Sequence, residues 1–150
     1  MSRKPFDVDS IMADLQRDVS EDLAKIATRA VSAVVYATPV GNPSLWKSPA
    51  PPGYRPGHAR RNWHCTIGRT SSSELPGLDP SGQTVILETG AVIREWSKPT
   101  FKRQPLHIQN AVPYIERLND GWSSQAPAGF VEKSVLAANG VNSHDKRELE

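Results

Sequence analysis

Between Asp9 and Tyr36 apolar side chains recur every three or four residues, at Ile11, Leu15, Val19, Leu23, Ile26, Ala30 and Val34. This spacing follows the turn of an α-helix and sets them all on one face. It predicts an amphipathic helix from Asp9 to Tyr36 whose apolar side lies on a sheet. Asp9 or Ser10 can cap its start, acidic residues fill its first turns as the helix dipole favours, and Pro39 stops it.

The periodicity then disappears. Residues 39–58, "PVGNPSLWKSPAPPGYRPGH", hold six prolines, each of which fixes φ and removes an amide donor. The stretch predicts a semi-rigid extended arm displaying Leu45, Trp46 and Tyr54. Such an arm folds back on its own domain or reaches a neighbour. Its length in so small a domain favours the neighbour.

From Arg61 the period changes to two. Trp63, Cys65 and Ile67 alternate with Asn62, His64 and Thr66, the pattern of a half-buried strand. After the polar loop "RTSSSELPGLDPSG", Asp79 and Pro80 read as an N-cap and a first helical residue. The helix they open runs to about Ser97, with Val85, Thr89, Val92 and Trp96 on one face. Gly90 weakens it, so a strand over Thr84 to Thr89 is the alternative. Leu106 to Asn110 predicts a second strand and Tyr114 to Asn119 a short helical turn. Pro127 to Ala138 predicts a last helix with Val131, Val135 and Leu136 facing inward.

The sum is an α+β fold: a long N-terminal helix packed on a small, mostly antiparallel sheet, with a C-terminal helix and a long Pro-rich loop. One domain over residues 1–138 is expected, with its extended arm at 39–58. The polar "NGVNSHDKRELE" at 139–150 is expected to form a flexible tail.

Composition narrows the function classes. A chain of 150 residues can bury roughly two thirds of its unfolded surface. With 37% hydrophobic and 7% aromatic residues the core is modest, and thirteen prolines and ten glycines imply long connections. A part ordered by its neighbours tolerates both. No apolar run reaches the ~18 residues of a membrane span, and Met1 to Asp9 lacks the apolar core of a secretory signal. No membrane partner is expected, and synthesis in a reducing cytoplasm is. The single cysteine, Cys65, excludes an internal disulfide or a paired-cysteine metal site.

The net charge of +2 hides an asymmetry. Residues 1–37 hold five basic and six acidic side chains, whereas residues 38–68 hold Lys47, Arg55, Arg60 and Arg61 and no acid. Such a block can meet phosphate or an acidic protein surface, so these four are the candidate DNA-channel or acidic-partner contacts.

Catalytic chemistry finds little support. His64 and Cys65 are adjacent on a predicted strand and point to opposite faces, so they cannot form a nucleophile–base pair. Cys65 shares the apolar face and suits the role of a small hydrophobe. His58 and His107 could meet only through tertiary folding. Glu116 and Asp120 lie one turn apart, but a solvated helix face beside Arg117 explains them. No zinc motif, phosphate-binding glycine loop or nucleophile elbow occurs. No cofactor, metal or catalytic residue is expected.

Residues 114–135 read better as a surface. Asn119, Asp120 and Gly121 make a tight turn, and Trp122 follows it. Gly121 to Gly129 carries no charge, while Ser123, Ser124 and Gln125 offer groups that bond without ionising. Aromatic anchors ringed by uncharged polar groups are the composition of an interface core. The alternative is that Trp122 tucks under its own domain. The candidate subunit or ring contacts are Leu45, Trp46, Tyr54, Tyr114, Leu118, Asn119, Gly121, Trp122, Ser123, Gln125 and Pro127.

Two stretches carry a resemblance. Residues 38–68, "TPVGNPSLWKSPAPPGYRPGHARRNWHCTIG", resemble the TPV…G-R-x-R-x-NW segment of neck or tail-completion proteins of long-tailed bacteriophages. Residues 106–135, "LHIQNAVPYIERLNDGWSSQAPAGFVEKSV", resemble that family's second signature, I-x-N-x-x-P-Y-x-x-x-L-x-x-G-x-S-x-Q-A-P-x-G-F-V. Arg60, Asn62 and Trp63 fall in the first motif. Asn110, Pro113, Tyr114, Leu118, Gly121, Ser123, Gln125, Ala126, Pro127 and Gly129 fall in the second. His58 and the length of the proline arm depart from the pattern.

The resemblance implies a non-enzymatic virion protein at the head–tail junction, made in the bacterial host cytoplasm. It implies a homo-oligomeric ring, six-fold or dodecameric, around the channel through which genomic DNA passes. Head-closure or connector proteins and tail-terminator or tail-tube proteins would be its neighbours. In a head-to-tail ring each subunit offers two different patches, and the 42–56 arm and the 119–129 loop are expected to supply much of both. The alternative is a DNA-contacting accessory module that uses the basic block at 47–61.

Overall fold

A carboxylate opens the longest element. In the computed structural model, which describes residues 7–41, 47–49, 51–101 and 104–138, helix α1 spans Val8–Ala37. Its start precedes the expected one because Asp7 is the cap, accepting from the Asp9 amide at 3.1 Å. Thr38 closes the other end, its hydroxyl and amide both donating to the Val34 carbonyl. Pro39 follows and cannot continue the ladder.

Only the second half of α1 is covered. Ala27, Val31, Val34 and Val35 join Trp63, Cys65, Val85 and Ile93 in the main core. Upstream, Ile11, Leu15, Val19 and Leu23 are exposed, although the spacing put them on the same buried face. The reason is length. Thirty residues of helix run about 45 Å, whereas the two helices packed on it, Gln83–Trp96 and Phe130–Ala138, run about 21 and 14 Å. Both are too short to cover it, and the sheet lies against the first of them.

That sheet has two antiparallel strands, β1 (Trp63–Ile67) and β2 (Leu106–Asn110). Trp63 pairs with Asn110, Cys65 with Ile108 and Ile67 with Leu106. Both strands fall where the alternation predicts. A single turn, α2 (His58–Arg61), leads into β1.

Helix α3 (Gln83–Trp96) packs on β1 and α1, which settles the helix-or-strand alternative in favour of helix. It starts three residues after Pro80. Asp79 still caps it, its carboxylate accepting from the Val85 amide at 2.9 Å, while Gly82 takes φ +76° just before the first turn. A 3-10 turn at Pro99–Phe101 follows.

After β2 come the short α4 (Ile115–Asn119) and α5 (Phe130–Ala138). Helix α5 lies against α1 and buries Phe130, Ser134 and Ala138, one per turn. Val135 and Leu136, expected inside, are exposed instead, and Val131 is half-buried. Phe130 decides the rotation. It anchors a second core with Ala59, Val112, Tyr114, Leu118 and Ala126, and the residues one turn apart from it follow it inward.

The described part of the arm folds back. The Lys47 amide donates to the Trp122 carbonyl at 2.7 Å, Pro51 is buried, and Tyr54 meets Tyr114 edge-on with ring centroids 5.1 Å apart. This corrects the expectation that the arm as a whole reaches outward. Leu45 and Trp46 lie outside the described residues, as does the polar stretch 139–150.

Candidate functional site

The polar residues of the first motif converge on the domain's own backbone. Asn62 is fully buried where α2 meets β1. Its side-chain oxygen accepts from the Leu75 amide at 2.6 Å, and its nitrogen donates to the carbonyls of Leu75 and His58. It pins the 69–82 loop to α2.

Arg60 does the same for α1. Its guanidinium donates to the carbonyls of Pro80 at 2.6 Å, Thr38 at 2.8 Å and Tyr36 at 3.3 Å. Two of these are the carbonyls left at the helix end, where a cation is favoured. Burial lowers the Arg60 pKa, against the opposing pull of Asp79. Trp63 completes the joint, its indole N–H donating to the Thr38 hydroxyl at 2.7 Å.

Two of the candidate DNA contacts have partners within the domain. Arg60 is spent on carbonyls, and Arg61 holds Glu88 with two bonds at 2.9 and 3.3 Å. Of the basic block, Lys47 and Arg55 remain exposed. Two separated cations make a poor phosphate track.

His58 is buried as well. One ring nitrogen lies 2.8 Å from the Gly77 carbonyl and the other 2.6 Å from the Glu74 carboxylate. The side-chain nitrogens of Arg55 and Asn62 also lie 3.5 and 3.4 Å from the same two ring atoms, so both face partners within the domain. Cys65 is buried too: burial pushes its thiol up to about 12, so the thiolate needed for attack is scarce at neutral pH. Among the described residues no group of three His, Cys, Asp or Glu could hold a metal ion, and no helix is long and apolar enough to cross a membrane.

The second motif divides into core and surface. Tyr114 and Leu118 are buried in the second core, where desolvation pushes the Tyr114 phenol up to about 12. Ser123 is buried and Gly121 sits at φ +83°, where an added Cβ would meet Ala128 at 3.1 Å. Asn119 caps α5, accepting from the Val131 amide at 3.0 Å and donating to Glu132. Tyr114, Leu118, Gly121 and Ser123 therefore offer no side-chain surface to a partner, which corrects their assignment as contacts. Aromatic and apolar residue types on a loop suggested a surface, but they are what this loop uses as its own core.

Trp122, Gln125 and Pro127 are exposed. Trp122 does not tuck under the domain. It stays 39% exposed, with the Arg117 guanidinium 5.3 Å above its ring. Gln125 lies directly against Gly41, leaving no room there for a side chain. With the Lys47–Trp122 hydrogen bond, this joins arm and loop into one surface. They were expected to form two different patches of a ring contact; the structure makes them one, containing Trp122, Gln125, Lys47 and the half-buried Tyr54.

A second surface went unnoticed in the sequence. The exposed half of α1 borders an open groove of about 990 Å³ whose opposite wall includes Trp96, Pro99, Phe101 and Pro105. The signal was available: a helix whose apolar stripe is longer than any other element of the domain.

The chain was compared with protein-family models, curated proteins and solved structures, and none of them matches it.

Proposed function

We propose that this chain is a structural protein of the head–tail junction of a long-tailed bacteriophage. It is a neck or tail-completion subunit that forms a ring around the DNA channel, hexameric or dodecameric, between head-closure or connector proteins and the tail. The two segments that resemble the family pack against each other, and this observation carries the reading. β1 from the first pairs with β2 from the second, Asn110 donates to the Ala59 carbonyl at 2.8 Å, and Tyr54 meets Tyr114. Motif residues that serve one joint belong together in a way that two chance matches need not.

The surface around Trp122 is then one of the two patches that a head-to-tail ring requires. An exposed tryptophan with an arginine over its ring combines two residue types that commonly anchor protein partners. The DNA-contact alternative loses Arg60 and Arg61 to internal partners.

Trp122→Ala separates folding from assembly. In a phage that lacks its own copy, the variant supplied in trans should yield at least about tenfold fewer infectious particles, as expected for a lost interface anchor. The purified variant should unfold within about 1 kcal/mol of the parent, because the ring is already partly solvated. Full infectivity, or equal damage to folding and assembly, would count against this role.

A further inference from the structure

The sheet has an edge that the domain leaves unpaired. The Gly68 amide donates to the Pro105 carbonyl at 2.8 Å, one step beyond the Ile67–Leu106 pair. Antiparallel pairs alternate between bonded and non-bonded, so Thr66–His107 and His64–Gln109 are the bonded pairs of the ladder. The main-chain N–H and C=O groups of Leu106, Ile108 and Asn110 therefore point away from β1. Among the described residues nothing bonds to them.

The edge is not shielded in other ways. Helix α3 packs along β1, where Trp63 and Cys65 are buried. Among the described elements no helix packs along β2 in the same way, and all five of its residues are only half-buried. The usual devices that keep a lone edge from pairing are missing too. The strand "LHIQN" has no lysine, acid or proline, and its register runs without a bulge. Outward donors and acceptors at every second residue are matched by one kind of partner, another extended backbone.

The strand is its own complement. A two-fold axis through Ile108, perpendicular to the sheet, sets Ile108 beside its copy and Leu106 beside Asn110, so every outward residue is paired. Moving the axis to His107 or Gln109 leaves one of them without a strand partner. On the other face His107 meets Gln109, and no charge meets its own copy because the strand has none. A parallel two-fold pair would turn the apolar faces, and α3 with them, to opposite sides of the sheet. The antiparallel pair keeps Leu106 and Ile108 of both copies on one side. It also leaves each β1, with its α3, on the outside of the joined sheet, where the helices do not collide.

We propose that two copies of this chain associate in solution through β2, antiparallel about Ile108, and join their two-stranded sheets into one. The pairing does not depend on the ring reading.

Sedimentation, hydrogen exchange and cross-linking of the full chain test it. A five-residue ladder is a small contact, so the parent should form a weak, concentration-dependent dimer. In dilute solution β1 should protect the amides of His107 and Gln109, while that of Ile108 exchanges freely. Concentrating the protein should slow exchange at Ile108 at least about tenfold, as expected when a ladder closes over it. His107→Lys puts on the edge the charge that natural sheets use against pairing, and should give a folded monomer. On oxidation, His107→Cys mixed with Gln109→Cys should link, since the two positions would lie about 4.5 Å apart. His107→Cys alone should link poorly, its copies lying roughly 8 Å apart on the diagonal, past the ~7 Å limit for a disulfide. The parent, whose Cys65 is buried, should not link. A parent that stays monomeric at every concentration would overturn the inference. So would a dimer whose Ile108 amide still exchanges freely, a dimer that survives in folded His107→Lys, or His107→Cys linking to itself faster than to Gln109→Cys.

Discussion

Asn62→Ala should lower the unfolding free energy by about 3 kcal/mol, the cost of leaving several buried backbone groups without partners. Asn62 is wholly buried and joins three backbone groups: the Leu75 amide, the Leu75 carbonyl and the His58 carbonyl. Alanine removes every one of these bonds and supplies nothing to the groups left behind. Asn62→Asp makes the mechanism specific. It keeps an acceptor for the Leu75 amide but turns a carboxylate toward two carbonyls, so it should be at least as damaging. Urea unfolding of the full chain measures both. A loss below about 1 kcal/mol for alanine would mean that the 69–82 loop is held by something else.

Leu118→Ala should cost about 3 kcal/mol, within the usual range for truncating a buried leucine. Leu118 has no exposed surface and packs with Tyr114, Ala126 and Phe130, where α4 meets the start of α5. Its loss opens a cavity that two short helices must share. Thermal or urea unfolding measures it, and a cost under about 1 kcal/mol would contradict the placement of this side chain. The contrast with the much smaller effect of Trp122→Ala matters more than either value. Four residues apart in one motif, one side chain holds the fold and the other is left on the surface.

The elements were largely legible because their signals are local. The second strand has the expected ends, the first starts at Trp63 just inside the alternating stretch, and three- to four-residue spacing gave α1 to within one residue at each end. Coverage was not legible. Nothing in the spacing of Ile11, Leu15, Val19 and Leu23 says that the helices packed on α1 are too short to cover them. The direction of α5 was misread for a similar reason: Val135 and Leu136 are more hydrophobic than Ser134, yet Phe130 and its second core set the rotation.

The candidate site was legible as motifs and illegible as roles. Arginine has the same forked donors whether it meets a phosphate or a carbonyl, and the partners of Arg60 are backbone carbonyls, which leave no trace in a sequence. Tyr114 and Leu118 suit an interface as well as a core. Only the fold, which brings Ala59 and Tyr54 against them, decides for the core. The arm and the loop lie far apart along the chain, so their union through Lys47 and Trp122 had no local signal either.

The central claim is a joining role at the head–tail junction, and electron microscopy of particles made without only this chain tests it most directly. The expected result is DNA-filled heads beside finished, unattached tails, with infectivity restored by adding the purified protein. Normal infectious virions in its absence would contradict the account.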